Sequence, residues 1–308
     1  MTILAMVAEA PGAPRPDAAA SYLAALRTDD AEVVDLPGEE IAARVAAAIG
    51  IDDPGRIAID PGAVTLLNRN EAGTTPVMVN VDPADPLRLA AGGRRGRRLF
   101  LVRHGEADTP DAEGRLHSRA PLPLTPRGRT QVATLGEVFA PLPVDVVHAS
   151  DLARTEETAR ALAGGRPVRL HAGLRELALG EFEGAHADDV LAAAPGFLVD
   201  PDARLPGGES IRMVGERTLP VVEGLLAGGD EDLVVVAHGG VNRGLLGGLL
   251  GLPLDRAIRI RQDWAGVNLL ERRGAEWTVR GLNWTPEGIA ELGRTERTTH
   301  LHERAHEP

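Results

Sequence analysis

The sequence contains no cysteine and, less commonly, no lysine: all 33 basic residues are arginine. Without cysteine there is no disulfide, thiolate zinc site, cysteine-held iron–sulfur cluster or thiol nucleophile. Without lysine, Schiff-base chemistry and the Walker A phosphate loop are excluded. Aromatic residues are scarce, at 3% of the chain with three tryptophans. No apolar run approaches the roughly 20 residues that span a bilayer. The opening MTILAMVAEAPG has no basic leader and too short an apolar stretch for a secretory signal. These absences predict a cytoplasmic chain that does not engage membranes. A net charge of −12 argues against nucleic acid as a partner. What remains is an ordinary globular composition, 43% hydrophobic and 25% charged over 308 residues, enough for one large domain or two smaller ones.

The chain divides by motif content. Residues 1–90 carry no chemical motif. Residues 91–98 form a Gly/Arg stretch that reads as an exposed linker rather than an anion site. Residues 99–286 hold every strong motif. Residues 287–308 read as a solvated tail, so its His300, His302 and His306 are not expected to hold a metal.

In the motif-rich part, short apolar runs alternate with helical patterns. Strands are expected at Leu99–Val102, Val144–Ala149, Val168–His171 and Leu233–Ala237. A helix should open at Thr125-Pro126, one capped by Ser150 or Asp151 should follow, and others should cover Ser210–Leu226 and Val241–Leu250. Pro220 should kink the third of these. A hairpin is expected at Val267–Leu270 and Glu276–Gly281. The pattern predicts an α/β fold: a doubly wound, mostly parallel sheet with helices on both faces, plus a small N-terminal α/β appendage. That appendage should contain helical segments at Ala18–Leu26 and Ile41–Ile49 and a hairpin at Val64–Leu67 and Val77–Val79. Its stretch Gly62–Arg69 (GAVTLLNR) resembles Ala265–Arg272 (AGVNLLER), which raises a degenerate partial repeat over residues 40–82 against chance similarity in a biased composition.

Polar residues of catalytic type stand just beyond four predicted strands: Arg103-His104-Gly105-Glu106, Ser150 to Arg154, Glu176, and His238-Gly239-Gly240. In an open α/β sheet the ligand crevice lies outside these carboxyl ends, so distant residues converge there. Two arginines and two histidines make a positive pocket in an acidic protein. The arginine fork suits phosphate oxygens, and a helix N-terminus adds its dipole. A histidine in such a pocket can accept a phosphoryl group, and Glu176 can protonate a leaving alkoxide. Glu181 is its main rival on the same loop. Glu106 reads as loop support and Ser150 as a helix cap. Gly207-Gly208-Glu209-Ser210 reads as a turn and cap.

LFLVRHGEAD, SDLARTEETA, LRELALGEFEG, LPGGES and VVVAHGGVNRGLL, in this order, resemble the successive motifs of the histidine phosphatase superfamily, in its phosphoglycerate mutase-like branch. The resemblance implies a doubly wound α/β fold and a phosphomonoesterase acting on a small phosphorylated metabolite without metal or other cofactor. It makes His104 the nucleophile that becomes phosphohistidine. Arg103, Arg154 and His238 bind the phosphoryl oxygens, and Glu176 is the general acid and then the general base. One departure stands out: Pro110 takes the place of an asparagine that often helps to hold phosphate. Either Arg115, the backbone (Gly239 is a candidate) or another side chain compensates, or phosphate binding is weaker.

Two other readings stay open. One is a bisphosphoglycerate-dependent phosphoglycerate mutase. The 62 positions between Glu176 and His238 leave little room for the long cover that such mutases insert there, which favours hydrolysis. The other is a catalytically weak phosphate-ligand sensor with residues 1–90 as a partner-binding module. A homodimer is left open as well.

Overall fold

A computed structural model describes residues 2–9, 31–61, 63–70, 73–81, 96–107, 115–197, 199–228 and 232–287. The helical pattern at Ala18–Leu26, Pro110 and the three tail histidines lie outside these residues. The N-terminal part contributes β1 (Thr2–Ala8), β2 (Ala31–Leu36), α1 (Gly38–Ile49), β3 (Val64–Asn70) and β4 (Gly73–Val81). The motif-rich part contributes β5 (Arg97–Arg103), α2 (Pro126–Phe139), β6 (Val147–Ser150), α3 (Ala153–Ala163), β7 (Val168–His171), α4 (Ala187–Ala193), α5 (Ile211–Leu226), β8 (Leu233–Ala237), α6 (Gly239–Leu250), α7 (Leu254–Ala257), β9 (Val267–Arg273) and β10 (Glu276–Trp284).

The ten strands among the described residues join one sheet in the order β2-β1-β3-β4-β10-β9-β5-β8-β6-β7. Alternation along each strand sends side chains to opposite faces. Leu99, Leu101, Val235 and Ala237 pack on the face covered by α1, α5 and α6, through Val45, Val214 and Leu245. Phe100, Val102, Val234 and Val236 pack on the other, covered by α2 and α3 through Leu135 and Leu162. The α/β class with helices on both faces is as expected. The share of parallel pairing is lower than expected: β1–β2, β5–β8, β6–β8 and β6–β7 are parallel, and the other pairings are antiparallel. The reason is the placement of two hairpins, β3–β4 and β9–β10, at the centre of the sheet. Short reverse connections permit only antiparallel neighbours.

The linker and tail boundaries also need correction. β5 begins at Arg97, inside the expected linker. Arg98 is buried, with its guanidinium on Asp232 (Nε to Oδ2 3.0 Å), and Arg97 donates to the α5 carbonyls of Leu225 and Leu226. Both arginines are therefore consumed in structure. Glu287, at the head of the expected tail, accepts from Arg127 and Gln131 on α2. Thr125 caps α2 by accepting from the Gly128 amide at 2.9 Å, as its sequence signature predicts. α3 behaves differently: its cap position is Leu152, without a side-chain cap, and Asp151 pairs with Arg175 instead. α5 runs as one helix through Pro220, which lies on its exposed side, where water can serve the unbonded carbonyl.

Candidate active site

β5, β8 and β6 are parallel neighbours, so their carboxyl ends lie side by side. Arg103 ends β5, His238 follows β8, and Ser150 ends β6 with Arg154 in the first turn of α3. His104 is the residue on which these groups converge. Its ring lies 5.1 Å, centroid to centroid, from that of His238. Its Nδ1 is 2.8 Å from the Gly105 carbonyl, which can only accept, so Nδ1 carries the proton and Nε2 keeps its lone pair. The Arg154 Nε–H donates to that Nε2 at 3.1 Å. The backbone is clamped too: the His104 amide donates to Ala237 O and the Ala265 amide to His104 O, at 3.2 and 3.0 Å.

Both histidines are held well below the ordinary imidazole pKa, chiefly by burial and then by nearby arginines: Arg154 and Arg103 for His104, and Arg154 and Arg103 with the His104 ring for His238. At neutral pH both are uncharged. Burial, aided by neighbouring Arg243, pushes Arg103 down to about 9, with Glu176 and Asp263 opposing. Arg103 donates to Gln262 O at 2.7 Å and stacks over Trp264, its guanidinium carbon 3.7 Å from the ring centre. Arg154 donates to Ser118 O and, at 3.2 Å, to Ala120 O. His238 Nε2 lies 3.0 Å from the Ser150 hydroxyl, while its buried Nδ1 has no protein partner.

Glu176 reaches the same place from the loop after β7. Its carboxylate accepts from the Gly240 amide at the start of α6 at 3.2 Å and from Leu177 N at 2.8 Å. A Cβ on Gly240 would stand 2.6 Å from Glu176 Oε1, so the absence of a side chain permits this approach. A Cβ on Gly239 would meet Arg243 and Arg103 at 3.5–3.7 Å, so this glycine keeps room beside the Arg103 head. Glu181 is exposed on a neighbouring turn. Arg115 is also exposed, and donates to Gly184 O at 3.0 Å. The structure thus brings His104, Arg103, Arg154, His238, Glu176 and Gly239 together and sets Arg115 on the adjoining loop. Ser150 is turned toward His238 rather than capping α3.

Trp264, Glu183 and Glu209 shape the site although the sequence reading assigns them no part in it. Trp264 sits against both Arg103 and the His104 ring, at 5.0 Å from the latter. Glu183 Oε1 accepts from the amides of Ser118, Arg119 and Ala120 (2.8–3.2 Å), which shapes the loop whose carbonyls hold Arg154. Glu209, read only as part of a turn, accepts from Arg119, Arg217 and Ala178 N. Glu106, expected as loop support, holds the loop after β5 by accepting from Thr125 and Arg127. A tryptophan in so aromatic-poor a chain, just ahead of a hairpin, was the one visible hint. Among the described residues no group of three potential ligands could hold a metal ion, and no helix is long and apolar enough to cross a membrane.

Four of the motif segments meet around His104, and the fifth, LPGGES, holds the Glu176 loop through Glu209 and Ala178. The sequence model of the histidine phosphatase superfamily (branch 1) matches residues 99–285. The chain belongs to this family. A "Glucosyl-3-phosphoglycerate phosphatase" from Mycolicibacterium vanbaalenii is 39% identical over 175 residues, covering 52% of this chain and 77% of the relative. A Klebsiella pneumoniae protein named "Probable phosphoglycerate mutase" is 32% identical, covering 63% of this chain and 93% of its own. Among solved structures, mycobacterial glucosyl-3-phosphoglycerate phosphatase superposes with a TM-score of 0.56 at 31% identity, over 61% of this chain and 99% of its own. The alpha-ribazole phosphatase from Shigella flexneri gives 0.55 at 26% identity, over 61% and 96%.

Proposed function

We propose that this chain is a metal-independent phosphomonoesterase that hydrolyses a small phosphorylated metabolite through a phosphohistidine on His104. The observation that carries this reading is the His104 ring: neutral, with Nδ1–H fixed on a carbonyl and the Nε2 lone pair turned toward arginine donors. Nε2 attacks phosphorus, and the bond from phosphorus to the leaving oxygen breaks in line. Glu176 gives that oxygen its proton. Arg103, Arg154 and the Nδ1–H of His238 take up charge on the equatorial oxygens. Water then attacks the phosphohistidine, Glu176 accepts its proton, and inorganic phosphate leaves with His104 restored. The N–H that Arg154 now gives to Nε2 can pass to a phosphoryl oxygen as the new bond forms. The likeness to the glucosyl-3-phosphoglycerate phosphatases makes a sugar-linked phosphoglycerate the first substrate to assay.

Rapid quench without acid should trap a phosphohistidine that is labile to acid and stable to base. His104→Ala should lose it together with about a thousand-fold or more of turnover. Residual activity within tenfold of the parent would refute the assignment. Activity should survive dialysis against EDTA. With phosphoglycerate and a bisphosphoglycerate primer, phosphate release should outpace isomerisation; the reverse would make the chain a mutase.

A further inference from the structure

The N-terminal part repeats the strand pairing of the catalytic part residue for residue. β1 lies antiparallel to β3 with Thr2 opposite Arg69 and Val7 opposite Val64. β5 lies antiparallel to β9 with Arg97 opposite Arg272 and Val102 opposite Val267. β1 runs parallel to β2 with Leu4 beside Glu32 and Ala8 beside Leu36. β5 runs parallel to β8 with Leu99 beside Leu233 and Arg103 beside Ala237. Shifts of 95 for β1, 201 for β2 and 203 for β3 superimpose every one of these pairs. α1 and α6 each have 12 residues, pack on the same face of the sheet, and end at a left-handed glycine, Gly50 (φ 81°) and Gly251 (φ 68°).

The asparagines make the repeat specific. Asn80 and Asn283 share a left-handed backbone, φ 55° and 52°, that few side chains adopt. Asn80 Oδ1 accepts from Asp60 N, its Nδ2 donates to Asp60 Oδ2 and Arg280 O, and its own amide donates to Thr65. Asn283 Oδ1 accepts from Asp263 N, its Nδ2 donates to Asp263 Oδ2 and Val77 O, and its own amide donates to Asn268. Every partner corresponds under the shift of 203. Two of these bonds are reciprocal across the β4–β10 seam, and the seam's register pair, Val79 opposite Leu282, is its own image. A two-fold axis therefore passes through that pair.

The copy has lost the chemistry. Ala8, Glu9 and Pro37 stand where Arg103, His104 and His238 stand in the other half. Residues 104–231, which supply Arg154 and Glu176, correspond to only 9–30. The matched structures are covered almost whole by about three fifths of this chain, and the family model spans residues 99–285, beyond the N-terminal copy.

We infer that residues 2–81 are a catalytically silenced copy of the β5–β8–α6–β9–β10 unit, and that it occupies the β10 edge in place of a second subunit of the same fold. The copy also braces the site. Asn283 ties Val77 O of the copy to Asp263, whose neighbours are Gln262, the acceptor for Arg103, and Trp264, the ring beneath it.

Matched variants test this. Asn80→Gly and Asn283→Gly both keep the backbone conformation and delete equivalent bonds. Each should lower Tm, by amounts within a few degrees of each other. Only Asn283→Gly should weaken inorganic phosphate binding, by threefold or more, because Asp60 has no phosphate site beside it. An unchanged Tm for Asn80→Gly, or equal loss of phosphate binding in both, overturns the inference. The absence of native cysteine allows a second test that does not depend on activity. Val79→Cys/Leu282→Cys should oxidise to an intrachain disulfide within a 32.4 kDa monomer. Leu282→Cys alone should stay uncrosslinked. Disulfide-linked dimers from the single variant would show that β10 is open to another chain and overturn the proposal.

Discussion

Ser150 accepts from the Leu152 amide at 3.4 Å, so its own proton is free to go to His238 Nε2, 3.0 Å away. That hydrogen bond makes Nε2 an acceptor and leaves the proton on Nδ1, the nitrogen with no protein partner. Under the proposed mechanism, Ser150 therefore positions the His238 ring that donates a hydrogen bond to the phosphoryl oxygens. Ser150→Ala frees the ring to choose its tautomer. Losing one hydrogen bond to a developing charge, about 1.5–3 kcal/mol, corresponds to a fall in kcat/KM of roughly 10- to 100-fold. The inhibition constant of inorganic phosphate should rise in step, Tm should change little, and Ser150→Thr should restore most of the loss. A Tm drop with unchanged phosphate inhibition would reduce Ser150 to a packing role.

α6 works through its first turn, where His238 leads in and Gly240 N–H holds Glu176. Gly240→Ala raises helix propensity by about 1 kcal/mol, so the fold should tolerate it or gain. The added methyl meets Glu176 Oε1 at 2.6 Å and must displace the acid. The expected result is a fall in kcat with Tm unchanged or higher. In kcat/KM, which reads only the transfer to His104, the defect should be largest for alkyl phosphates and small for p-nitrophenyl phosphate, whose leaving group needs no proton; an equal kcat/KM defect for both would remove Glu176 from the acid's role. Elements of this kind were legible in the sequence because the chemistry lies at strand ends, where an apolar run stops at a charged residue. His104, Arg154 and His238 announce themselves in that way. Glu183 and Gln262 do not, because they act through backbone amides and carbonyls of segments far away in sequence. Arg97 and Arg98 were misread for a related reason: two arginines beside glycine look solvated until Asp232 and the end of α5 are placed next to them. The hairpins were visible as patterns, but nothing local tells a hairpin that it will sit at the middle of a sheet.

The molecule as a whole should be sensitive to acid. His104 and His238 are buried and held neutral, whereas in the unfolded chain they titrate near 6.5. Below that pH the unfolded state binds protons that the native state refuses. Stability is therefore greatest above 6.5 and falls on acidification toward the native pKa values, by up to about 1.4 kcal/mol per pH unit for each ring. His148 and His171, paired at 2.9 Å on β6 and β7 and both shifted down, act in the same direction. Calorimetry at pH 7, 6 and 5 should show Tm falling monotonically; a flat or rising trend would contradict the neutral assignment. The central seam has a further consequence for how the chain is made. β4, with Val77, Val79 and Val81 along it, is synthesised about 200 residues ahead of its neighbour β10. At roughly 5–20 residues per second the nascent β4 edge waits about 10–40 s for its partner. During that interval the strand best matched to it is the β10 of another copy finished earlier on the same message. Refolding yield should accordingly fall steeply with protein concentration, with exchanged dimers rather than amorphous precipitate as the first product lost from the monomer pool.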